Sequence, residues 1–280
     1  MRLNNAVKQI LPPLILPLAK KPCQIYNHLV TRKRMYSRLL DLIENNPEIE
    51  ELFPAKVVDR HYVYEATRQT PAHPDLFINQ IRYYRMYKFF KQNYPEVFDN
   101  KVSVVDTGDT SGILFKAMKR KGLSVNINSE VVDFIRKSGI EAQIGDIECL
   151  SFGNKSFDYS FSFECIEHVL NPVRALKELS RITRKKVFLS IPFVENTVIY
   201  DADYWKRLKS METRKGGWAE SSVRDVDCHK IEFSTRDFKK ILTHASLRYC
   251  DNFPINYFKP LGLMRKNEGS YFNFFILEPF

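Results

Sequence analysis

Between residues 100 and 195, short β-branched and aromatic runs alternate with stretches of helical periodicity. Residues 102–106 (Val-Ser-Val-Val-Asp) predict a first strand, ended by a turn that holds Gly108 and Gly112. The pattern continues with helix over 113–121, strand over 123–128, helix over 130–138 and strand over 141–144. Strand 157–163, helix 172–183 opened by Pro172, and strand 186–191 complete the series. Such alternation predicts an α/β fold, a parallel sheet with helices on both faces. A helix over 235–245 follows, with Ser234 as its N-cap, and then two aromatic-rich strands, 247–253 and 271–277.

Upstream the texture differs. Phe77, Ile81, Tyr84, Lys88 and Lys91 recur at helical spacing over residues 77–93, before Pro95. Pro71 and Pro74 mark a linker, because a residue that precedes proline is pushed away from helix. The expected division is therefore 1–75, a basic and partly helical N-terminal extension, and 76–280, the α/β domain. Within the extension, Leu39, Leu40, Leu42 and Ile43 give an apolar helical face before Pro47. Its apolar stretch, residues 10–19, is broken by Pro12, Pro13 and Pro17 and is too short to span a bilayer. It is also a poor secretory leader, since Lys20-Lys21-Pro22 stands where small residues should mark cleavage.

Composition adds limits. With 44% apolar and 27% charged residues the chain can bury a core. Cys23, Cys149, Cys165, Cys228 and Cys250 are odd in number and never spaced C-x-x-C. A disulfide framework and a structural zinc site are not expected, and the localisation that follows is cytoplasmic. The net charge of +10 favours anionic partners, but its placement matters more. Residues 101–199 carry only +2, whereas residues 1–40 hold eight Lys/Arg and no Asp or Glu. Peripheral contact with an anionic membrane face through residues 1–40 is one expectation, and packing of residues 10–19 on the domain is the other.

In open α/β sheets a ligand lies beyond the carboxyl ends of the strands, so the turn after the first strand is the candidate site. It reads Asp106-Thr107-Gly108-Asp109-Thr110-Ser111-Gly112, which is not G-x-G-x-x-G. An acid inside it suits a cationic or zwitterionic ligand better than a pyrophosphate. The residues from Val104 to Gly112, Asp146-Ile147, Ser156-Phe157-Asp158, Glu164 to His168, Asn171-Pro172 and Ser190-Ile191-Pro192 stand in a telling order.

That order resembles the class I S-adenosylmethionine-dependent methyltransferases over about residues 100–195. The resemblance implies a Rossmann-like seven-stranded sheet and S-adenosylmethionine as cofactor. It places the cofactor against Asp106, Gly108, Asp109, Ser111, Gly112, Asn126, Asp146, Ile147 and Glu164. Thr110 stands for the family's middle glycine, and Asn126 for the usual ribose-binding acid. Histidine is the first candidate for accepting a hydroxyl proton near neutral pH, which selects His168 and His229. Glu164, Glu167 and His168 are similar to a metal set in ubiquinone-pathway O-methyltransferases. The same pair of Glu and His stands in relatives without metal, and no metal is expected here. Tyr204, Trp205 and Trp218 fall in a polar stretch suited to an acceptor lid or a plain surface loop.

The expected function is methylation of a small-molecule or sugar hydroxyl on a surface glycan or glycolipid. The proline-broken N-terminus and Asp-rich first motif resemble enzymes of polysaccharide biosynthesis. The alternatives are an RNA methyltransferase, which the near-neutral core weakens, and a non-catalytic methyltransferase-fold binding subunit. The oligomeric state is left open.

Overall fold

Buried on both faces, Val104, Val105, Asp106 and Thr107 form the first strand of the sheet. The computed structural model describes residues 41–54, 74–199, 229–256 and 270–280. Residues 10–19, Arg32-Lys33-Arg34, Tyr204, Trp205 and Trp218 lie outside them. The chain divides into two units at Ile81/Arg82. In the first, helix α1 (Glu48–Leu52) buries Ile49, and Gln80 Nε2 donates to the Phe53 carbonyl at 2.8 Å. Helix α2 (Pro74–Asn93) contains the boundary.

The second unit runs β1 (Val104–Thr107), α3 (Ile113–Ala117), β2 (Leu123–Asn126), α4 (Ser129–Lys137), β3 (Glu141–Ile144) and β4 (Phe157–Phe163). It continues with α5 (Pro172–Ile182), β5 (Thr183–Pro192), β6 (Val198–Ile199), β7 (Ile231–Glu232), α6 (Thr235–His244), β8 (Leu247–Asn256) and β9 (Ser270–Pro279). Seven strands make one sheet in the order β3-β2-β1-β4-β5-β9-β8. The first five are parallel, and β9 is antiparallel to both β5 and β8. Strands β6 and β7 form a separate antiparallel ribbon. The expected Rossmann-like α/β architecture is what the chain adopts, and strand order reverses beside β1, where a ligand site is expected.

Period-two alternation divides the core. On one face Phe90 of α2 stacks on Phe161 at 4.9 Å and meets Phe188 edge-on at 5.0 Å. On the other, Val187, Leu189, Phe275 and Leu277 pack with Leu176, Leu179, Phe238 and Leu242 of α5 and α6. Each such side chain contributes about 1.5–3 kcal/mol when fully buried. Capping is local: Asn128, Asn171 and Ser234 accept from the backbone N–H of Glu130, Arg174 and Asp237, the last as expected from the sequence.

Helix α2 forms where the spacing predicts it, and Tyr83, Met86, Tyr87 and Phe90 are buried along it, with Lys88 and Lys91 beside the rings of Tyr84 and Tyr87. Two expectations need correction. Helix α3 ends at Ala117, not residue 121, because Arg120 turns its guanidinium to the carbonyls of Val97 and Val102 and Lys119 takes a φ of 52°. Strand β5 starts at Thr183, directly after α5, where the Thr183 hydroxyl donates to the Leu179 carbonyl at 2.5 Å.

Candidate active site

Two turns at the carboxyl ends of β1 and β4 build the site, and a third segment, just before β7, closes on the second. In the first turn Gly108 has a φ of 84°, and its N–H donates to the Val125 carbonyl at 2.7 Å. A Cβ there would stand 2.6 Å from Cys165 Sγ and 2.7 Å from Cys165 Cβ. Gly108 is thus required by contact with the β4 turn as well as by its backbone angle. Gly108→Ala is expected to destabilise the fold by about 2–4 kcal/mol, from left-handed strain and overpacking. Urea unfolding checks this, and Cys165→Gly in the same background should recover only the steric share.

Asp109 does not face outward from the turn. Its carboxylate accepts from the N–H of Ser111 and Gly112 at 2.9 Å each and from Ser124 Oγ at 2.5 Å, and the residue is buried. Asn126 is also committed locally, donating from Nδ2 to the Asp109 carbonyl at 2.9 Å and accepting from Asn128 N at 2.8 Å. Ser111 is buried, and the Cα of Gly112 looks toward Ile135 and Ile140. Asp109 and Asn126 together hold the turn. Asp106 is buried too; burial, and then the charge of Asp109, lifts its pKa well above the ordinary carboxylate range.

Asp146 is exposed after β3, where its carboxylate accepts from Glu148 N at 2.8 Å, while Ile147 is buried. Asn126 and Ile144 are paired in register, and Ile127 and Ile144 are 57% and 53% exposed. Exposed apolar side chains at this edge suit the planar base of a nucleoside. Sequence reasoning missed both, since nothing in the pattern marks them as uncovered.

The second turn concentrates charge. Glu164 has a φ of 52°, accepts from Ser190 Oγ at 2.6 Å and lies 3.9 Å from an Arg82 guanidinium nitrogen. Burial lifts the Glu164 carboxyl to about 7, against the pull of Arg82 and Ser190. Glu167 is 1% exposed; burial and the charge of Glu164 hold it well above the usual range. Both shifts disfavour the ionised forms in the fold; the contribution of Glu164 is full below about 4.5 and is lost as the pH rises through about 7. The gain in melting temperature from Glu164→Gln should therefore be larger at pH 7.5 than at pH 5.

Arg82 and Tyr83 reach the site from α2, and the helical pattern alone did not single them out. The guanidinium lies 5.0 Å from the Tyr83 ring and 4.8 Å from that of Phe272. Burial raises the Tyr83 hydroxyl, with Asp109 and Asp106 adding to the shift and Arg82 opposing it.

His168 and His229 come together as an edge-to-face pair, with ring centroids 4.7 Å apart. The Lys230 N–H donates to the Glu167 carbonyl at 2.6 Å, fastening the segment before β7 to the β4 turn. His229 Nδ1 is 2.5 Å from Glu232 Oε1. One donor atom each of Glu167, His168 and His229 lies within 4.8 Å of the others, the one such trio among the described residues. Glu164 is not in it, because its carboxylate faces Ser190 and Arg82. Among the described residues no helix is long and apolar enough to cross a membrane.

Sheet order, the β1 turn and the β4 turn together define a Rossmann-like methyltransferase fold of class I type. Residues 105–191 match the family model described as "Methyltransferase domain". Among solved structures, a possible histamine N-methyltransferase from Thermotoga maritima is 18% identical, with 81% of this chain and 98% of that one covered and a TM-score of 0.49. An S-adenosylmethionine-dependent methyltransferase from Clostridium acetobutylicum is 13% identical, with coverage of 78% and 96% and a TM-score of 0.48. A putative Haloferax volcanii methyltransferase, solved in complex with the Trm112 activator, is 16% identical, with coverage of 71% and 94% and a TM-score of 0.45. No curated protein matches the chain.

Proposed function

We propose that this chain is an S-adenosylmethionine-dependent methyltransferase that methylates a hydroxyl of a small molecule or sugar. The observation that carries the reading is the His168–His229 pair beside a methyltransferase turn, with His229 backed by Glu232. The residues fit the cofactor. The β1 turn is drawn tight at Gly108, Ile127 and Ile144 offer uncovered apolar surface for the base, and Asp146 lies beyond β3. Arg82, a cation amid Asp106, Asp109 and Glu164, suits the carboxylate of the amino-acid end.

When bound, S-adenosylmethionine supplies an electrophilic methyl group on a sulfonium. His229, or His168 beside it, takes the proton of the acceptor hydroxyl as the O–C bond forms. The sulfonium sulfur would keep the electron pair of the C–S bond as the leaving group, and the imidazolium returns its proton to solvent. The rest of the work is positioning. Tyr204, Trp205 and Trp218 are assigned to acceptor binding because aromatic rings pack on the C–H faces of sugars. Residues 1–75 are assigned as an appendage, with residues 1–40 against an anionic lipid surface.

A second reading, a binding subunit without catalysis, is favoured by the commitment of Asp109 and Asn126 to the turn itself. Calorimetry with S-adenosylhomocysteine separates the two when paired with radiolabelled methyl transfer to total RNA and to a cell-envelope glycolipid extract. Binding with label in the glycolipid fraction is expected. Binding without any transfer would favour the second reading, and label in RNA alone would overturn the acceptor class.

A further inference from the structure

The segment that brings His229 to the site also carries a carboxylate for it. We infer that Glu232 is a positioning residue, one that fixes the tautomer and orientation of the His229 imidazole for proton transfer. The inference rests on the proposed role of His229 as a base. Three observations place Glu232 in this role. Its Oε1 lies 2.5 Å from His229 Nδ1, within hydrogen-bond distance. Its backbone is held in the β6–β7 ribbon, where Glu232 pairs with Val198, so the carboxylate is anchored independently of the imidazole. Both side chains are shielded, at 31% exposure for His229 and 16% for Glu232, which limits competition from water.

The chemistry follows from the two ring nitrogens. Isolated neutral imidazole can carry its proton on either one. A carboxylate at Nδ1 accepts from Nδ1–H, so the lone pair that receives a hydroxyl proton is on Nε2. The ring also packs against that of His168 at 82°, and the Lys230 N–H fastens the adjoining backbone to the Glu167 carbonyl. Glu232 touches no reacting atom; it acts through His229. Its place three residues after the histidine follows from strand geometry, which allows a side chain to fold back only where the chain bends, as it does at Lys230.

The test uses the full chain with ¹⁵N-labelled histidine. Two-bond ¹H–¹⁵N correlation spectra should show His229 as the Nδ1–H tautomer in the wild type, and that preference should be lost in Glu232→Ala. Turnover should fall about 100-fold in the same variant while the acceptor KM changes by less than about threefold, the pattern of a misoriented base. Glu232→Gln, whose amide oxygen still accepts from Nδ1–H, should keep the tautomer and recover part of kcat; it also serves if the alanine variant does not fold. An unchanged tautomer in Glu232→Ala, or a changed tautomer with unchanged kcat, would overturn the inference. A wild-type chain that binds cofactor yet transfers no methyl group would instead overturn the base reading, while the tautomer measurement still decides whether Glu232 holds the ring.

Discussion

His229→Ala should lower turnover by about 100-fold or more, with S-adenosylhomocysteine affinity within about twofold of the wild type. A positioned general base contributes roughly 10²–10⁴ in rate, and none of the turn contacts around Gly108 passes through this imidazole. His168→Ala should cost less if His229 takes the proton and more if His168 does, because the two rings are close enough to replace each other in part. Single-turnover methyl transfer, measured with calorimetry on the same preparations, checks both. A loss of cofactor affinity equal to the loss of rate would mean that the pair supports the fold and not the chemistry.

Replacing Arg82 has the second large effect. Arg82→Ala removes the cation that faces Glu164 and lies between the rings of Tyr83 and Phe272. Breaking a buried ion pair costs about 3–5 kcal/mol, but Glu164 can escape part of that by taking a proton, so about 2–3 kcal/mol is expected near pH 7. Lowering the pH should shrink the deficit. S-adenosylhomocysteine affinity should fall by about 10- to 100-fold, the worth of a charge-assisted hydrogen bond to the ligand carboxylate. Methylthioadenosine, which lacks the amino-acid end, should bind variant and wild type alike. If both ligands weaken equally, Arg82 shapes the site and does not read the carboxylate.

Local features were the ones most legible in the residues. Strands β3 and β4 and the cap Ser234 follow from short-range preferences, and the structure has them where the pattern puts them. What the pattern could not show depends on distant partners. Helix α2 carries aromatic residues on several sides, so which side is buried is decided by Phe161, Phe188 and Phe274. Asp109 is polar and flanked by glycine, so it reads as a ligand-facing acid; only Ser124, from the next strand, shows that it is a folded-in acceptor. Glu232 stands between His229 and Ser234, both legible in the sequence, but its role appears only once the ring nitrogen beside it is known.

The position of β9 has a consequence for how the protein is made. Strand β8 is synthesised first, yet it joins the sheet only through β9, which pairs with β5 on its other side. Until residue 270 has been translated, β5 presents an unpaired edge and Phe188 lacks its neighbour Phe274. A nascent chain paused in that interval exposes a template for strand addition, the feature that invites association between chains. Expression yield should therefore respond to chaperone supply and translation speed through this late stretch more than through the parallel half, whose strands pair in step with their appearance.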